Sequence, residues 1–202
     1  QLSVGGYVQA DSRFYTQSNP AIVLGSSTFL LRRARPILLG TVYKYFDFRI
    51  VPEFANFGNG LQTIFDAYLD FTYLPRTKFR FGKFKPPVGL ERLVSGSEML
   101  FVERALPTDL VPNRDVGVQV FGENLGGVFN YALGVFNGVP DGANGDLDTN
   151  NTKDFAGRVF LNPFQKSRIE ALKGLGIGLS GTSGTQQGLL PVLRTPAQAI
   201  FF

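Results

Sequence analysis

A two-residue alternation returns along most of this chain, and it sets charged side chains against oily ones. In Tyr45–Phe54, Phe46, Phe48, Ile50 and Phe54 fall on one side, and Asp47, Arg49 and Glu53 on the other. In Gln62–Tyr73, Ala67, Leu69, Phe71 and Tyr73 oppose Asp66, Tyr68, Asp70 and Thr72. Successive side chains of a strand leave on opposite faces, so each segment reads as a strand with one apolar and one ionic face. Similar patterns occupy Gly6–Tyr15, Thr28–Leu39 and Lys78–Phe84, and they recur around Val118, Leu133, Val159 and Ile177. The expected fold is all-β, with about nine antiparallel strands. Their length of roughly ten residues is what a tilted membrane-crossing strand needs. Pro52 falls on the apolar side of its strand, where it cannot donate to a ladder, so a local break in pairing is expected there.

Short turns alternate with longer loops. Gly40–Lys44, Leu74–Thr77, Glu123–Gly127 and Asn162–Ser167 read as tight connections, and Thr16–Ser27, Ala55–Leu61 and Asn137–Thr152 as polar loops. The tail Gly181–Phe202 reads as loop, with a further strand beginning at Ala199–Phe202. A soluble β-sandwich ligand-binding module would hide the apolar faces between two sheets. A barrel would turn them to lipid and leave a wet polar interior. Alternation alone does not separate the two, but loop alternation and charges at strand centres favour the barrel.

Composition removes several chemistries. The 202 residues include no cysteine and no histidine, so thiolates, disulfides, zinc–histidine sites and a Ser-His-Asp relay are excluded. An envelope enzyme using Asp66 and Asp70 as an acid–base pair is a weaker reading, because alternate carboxylates on one strand more often form ion pairs. No apolar run is long enough for a membrane-spanning helix. No leader pattern opens the sequence, which points to a mature or trimmed product. The formal net charge of +4 suits anionic partners without singling one out.

The longest irregular segment follows Lys78–Phe84. Lys83, Lys85, Pro86 and Pro87 end that strand, and the chain stays aperiodic to Arg114. Loops of this length in compact domains are usually functional. The expectation is that it folds into the barrel mouth and narrows it, with basic groups at the waist.

Three motifs, RFGKFKPPVGLERL at Arg80–Leu93, FVERALPTDLVPNRDVGVQVFG at Phe101–Gly122 and LLRRARPILLG at Leu30–Gly40, resemble the phosphate-selective porin O and P family. The resemblance runs from about Gly6 to the end of the chain. It implies a transmembrane antiparallel β-barrel of about sixteen strands in the outer membrane of bacteria, usually a homotrimer. Such a pore passes anions such as phosphate or polyphosphate, needs no cofactor or metal, performs no covalent chemistry and has no nucleic-acid partner. It implies that residues 86–114 are an infolded constriction loop and that residues 1–202 are a partial barrel, the N-terminal half. The anion-binding residues it implies are Arg32, Arg33, Arg35, Asp66, Asp70, Arg80, Lys83 and Lys85.

Guanidinium groups suit phosphate oxygens because their donors form a planar fork. Arg33 and Arg35 share a face, whereas Arg32 points to lipid unless the strand bulges or the side chain snorkels. Inward cations and acids on the strands are close to balanced, so anion selectivity requires clustering at the constriction, beside Lys83 and Lys85. Glu91, Glu98, Glu103 and Asp109 are expected to tie the loop to wall arginines. Gly176–Gly181 matches a nucleotide-loop spacing but lacks the following helix. Asp146–Asn150 resembles a calcium loop, but Asn151 stands where glycine is required, so a surface loop with at most incidental Ca²⁺ binding is expected.

Overall fold

The structure is a computed structural model that describes residues 1–14, 27–55, 63–148 and 150–187. Within them the alternating segments form β1 (Leu2–Arg13), β2 (Thr28–Val42), β3 (Phe46–Glu53), β4 (Thr63–Phe71), β5 (Lys78–Phe84), β6 (Asp115–Asn124), β7 (Phe129–Phe136), β8 (Asp154–Leu161) and β9 (Ile177–Ser183). The nine strands pair in chain order into one antiparallel sheet. No second sheet faces it among the described residues. The β-sandwich alternative is therefore corrected: among the described residues no second sheet covers the apolar faces.

Those faces are open on every strand. Val8, Leu31, Ile50, Leu69, Phe81, Val118, Leu133, Phe155 and Leu179, one from each strand, are between 38% and 81% exposed. On the opposite face Arg33, Glu53, Asp66, Asp70 and Gln119 are buried. A water-soluble domain has the reverse arrangement and rarely shows an apolar patch beyond a few hundred Å². A barrel wall with lipid outside and polar groups inside has this one.

Several boundaries differ from the sequence reading. β1 begins at Leu2, and β2 continues through Gly40 to Val42. Gly40 does not end the strand because it lies opposite Phe48, whose ring fills the space of the missing side chain. The turn is confined to Tyr43–Tyr45, with Tyr43 and Lys44 at φ 48° and 70°. β9 takes Gly181–Ser183 out of the expected tail loop. The glycines of the nucleotide-like spacing sit on this strand and its approach, with Gly178 opposite Phe160. Most of Thr16–Ser27 and Ala55–Leu61, and the strand expected at Ala199–Phe202, lie outside the described residues.

Residues 86–114 contain one helical turn at Leu90–Leu93 and one 3-10 turn at Leu106–Leu110. The root of this segment packs on the ionic face. Phe84, Val88, Phe136 and Ala156 form a small core there, and the rings of Phe84 and Phe136 meet at 5.3 Å. The β7–β8 connection braces its far end. Gly142 N–H donates to the Val111 carbonyl at 2.9 Å, and Asp115 accepts from Gly138 N–H at 2.7 Å.

Candidate functional site

Two irregularities in pairing set the site. Gln9 pairs with Arg33 but Ala10 pairs with Leu31, so Arg32 is an extra residue in β2. Such a bulge resets the alternation and turns two consecutive side chains to one side. Arg32 and Arg33 both reach Glu103, through Nε–Oε1 and Nη2–Oε2 contacts of 2.8 Å each. The bulge is one of the two conditions under which Arg32 leaves the lipid side, and it is present. The second irregularity is at Pro52: Val51 pairs with Asp66 and Pro52 with Ile64, leaving Phe65 extra in β4. Phe65 then joins Asp66 on the ionic face, where its ring lies 4.0 Å from the Arg35 guanidinium and 4.5 Å from that of Arg114.

Arg35, Arg49 and Arg80 of the wall each have a carboxylate. Arg35 pairs with Glu53 at 2.5 Å and donates to the Tyr7 hydroxyl at 2.8 Å. Glu53 also accepts the Ala34 and Ala55 N–H groups, beside the backbone bond from Phe54 N–H to the Ala34 carbonyl. Arg80 makes a two-pronged pair with Asp70, both contacts 2.7 Å, and lies 3.9 Å over the Tyr68 ring. Asp66 takes Arg114 at 3.1 Å and Arg49 at 3.8 Å. Asp66 and Asp70 are thus ion-pair partners in the wall.

Residues 86–114 cross this face from β5 to β1 and β2. Arg114 is fixed at Asp66, Glu103 at Arg32 and Arg33, and Gly96 lies against the Tyr7 hydroxyl, leaving no room for a Cβ. Burial alone would raise the Glu103 carboxyl, but the hydrogen bonds and charge of Arg32 and Arg33 outweigh it and hold Glu103 below its ordinary value. The other loop acids do not reach the wall arginines. Glu91 accepts the Ala105 N–H at 3.0 Å, Asp109 sits 3.9 Å from Arg92 within the loop, and Glu98 lines the space between loop and wall.

That space is a cavity of about 520 Å³. Its lining includes Arg35, Arg49, Arg80, Lys85, Arg104 and Arg114 against two carboxylates, Asp66 and Glu98. Lys85 and Arg104 differ from the other four. Lys85 Nζ donates to the Val94 carbonyl at 3.0 Å, and Arg104 donates to the same carbonyl at 2.6 Å. Arg104 also donates to the Glu91 carbonyl at 3.2 Å. Among the described residues no carboxylate forms an ion pair with either cation. Burial, followed by repulsion from Arg114 and Arg104, lowers the Lys85 ammonium to about 7. Arg104 is lowered by burial and by Arg33, but a guanidinium stays charged in proteins.

Of the residues named from sequence, Arg35, Asp66, Arg80 and Lys85 line the cavity. Arg32 and Arg33 hold the loop, and Asp70 holds Arg80. Lys83 is elsewhere. It is 5% exposed and pairs with Asp146 of the β7–β8 connection. Arg49 was legible as an inward residue of its strand. Arg104 had no signal, because nothing periodic marks which loop side chains point to the wall. In the calcium-like segment, Asp148 accepts the Asn150 and Asn151 N–H groups and pairs with Lys153.

The family model described as phosphate-selective porin O and P matches residues 2–177. No curated protein matches the chain.

Proposed function

The chain belongs to the phosphate-selective porin O and P family, and from that premise we propose that its ionic face lines an anion-conducting pore with phosphate or polyphosphate among its solutes. Membership supports reading it as an outer-membrane porin and its sheet as a portion of a β-barrel wall. The finer reading assigns residues 86–114 as the constriction loop, the cavity beneath it as the anion site, and a homotrimer as the assembly.

The observation that carries the reading is the convergence of Lys85 and Arg104 on the Val94 carbonyl, with neither cation in an ion pair among the described residues. Two cations sharing one neutral acceptor leave positive charge that Asp66 and Glu91 offset only from a distance, and low-dielectric surroundings strengthen its field. The four neighbouring arginines are already paired, so each can offer a spare donor without holding an ion tightly. Conduction needs this mixture, since an ion must be attracted and also released.

The test is planar-bilayer conductance of the full-length porin. In a potassium chloride gradient the reversal potential should report anion selectivity, and added phosphate should block chloride current. A cation-selective reversal potential, or chloride current indifferent to phosphate, would overturn the reading.

A further inference from the structure

We infer that the cavity takes organic oxyanions carrying a compact apolar group, in addition to inorganic phosphate. This rests on the anion-pore reading and deepens it by naming the solute class. Its basis is a break in the wall pattern. Ile37, Leu39 and Val51 occupy inward positions on β2 and β3, where neighbouring inward positions hold Arg35, Arg49 and Glu53. All three line the same cavity as Lys85 and Arg104.

An inward apolar residue has an ordinary explanation if the loop covers it, and Val51, at 3% exposed, is covered. Leu39 is not: it remains 37% exposed, opposite Arg49 of the neighbouring strand. It and Ile37 present an oily strip to a wet space at the side of the cation cluster. Size points the same way. At about 520 Å³ the cavity falls in the range of sites for organic ligands, ~300–1,000 Å³. Inorganic phosphate would fill little of it, since each water displaced accounts for only ~30 Å³. Charged donors at one side and an apolar strip at another are the parts that orient an amphiphilic anion, head to Lys85 and Arg104 and substituent to Ile37 and Leu39.

The experiment compares methyl phosphate with phenyl phosphate as blockers of chloride current through the full-length porin. The two share a headgroup and differ in the ring. Phenyl phosphate should block at about tenfold lower concentration, the effect of burying part of a ring face. Leu39→Ser and Ile37→Thr should erase that preference, and their single-channel conductance in plain potassium chloride shows that the variants fold and conduct. Equal block by the two esters, or a phenyl preference that survives both substitutions, overturns this inference and leaves the anion-pore reading standing. Cation selectivity with no block by either ester overturns both.

Discussion

Lys83 and Lys85 are two positions apart, yet they take different partners. β5 ends at Phe84: Lys83 within it pairs with Asp146, while Lys85 follows the chain to the Val94 carbonyl. The two should behave differently. Lys85→Ala is expected to raise the half-blocking phosphate concentration about tenfold, the size of one lost charge-assisted hydrogen bond. Lys83→Ala and Lys44→Ala should leave it within about twofold. Titration gives a second check on the same side chain. Because Lys85 is lowered to about 7, its charge is present below that value and lost as pH rises through it. Anion selectivity in chloride should therefore weaken as the solution goes from mildly acidic to mildly alkaline. Lys85→Arg should flatten that dependence, because the guanidinium stays charged throughout.

The strands carry information that single residues do not. The bulge at Arg32 gives one carboxylate, Glu103, two guanidinium partners, and this clamp holds the loop on the far wall. Glu103→Gln should free the loop to move and appear as greater open-channel current noise. Glu103 is held below its ordinary value, so the clamp is fully present above the ordinary glutamate range and lost as pH falls through the lowered value. Acidification should reproduce the noise of the variant only in that more acid range. At the end of β5, Gly82 has φ 122°, and a Cβ there would run into the Ala67 carbonyl oxygen. Gly82→Ala should cost ~1–3 kcal/mol, measured by denaturant-induced unfolding in lipid vesicles.

At the scale of the molecule, the exposed apolar face decides the environment. Leu69 lies mid-strand in β4 and is 38% exposed. If that face meets hydrocarbon, Leu69→Arg should destabilise the folded porin by ~2–4 kcal/mol near the membrane midplane. In vesicle unfolding a water-facing position would tolerate the same change. Whole-wall charge is a poor guide to selectivity, since the inward residues of the strands are nearly balanced. The imbalance is local, with six cations and two carboxylates around one cavity. Half of those cations, Lys85, Arg104 and Arg114, come from the segment between β5 and β6.

Sequence alone settled the all-β class, the two faces of the wall and the limits of β5, because alternation is written in residues two apart. Residues Arg35, Asp66, Arg80 and Lys85 were legible as candidates for the same reason or through a motif. Tertiary structure alone decided which side Arg32 and Phe65 take, because a bulge exists only relative to the strand it pairs with. It also decided that Arg104 joins Lys85 at one carbonyl while Lys83 does not. An aperiodic segment fixes its direction only through its contacts, and those contacts join residues as far apart in the chain as Arg32 and Glu103.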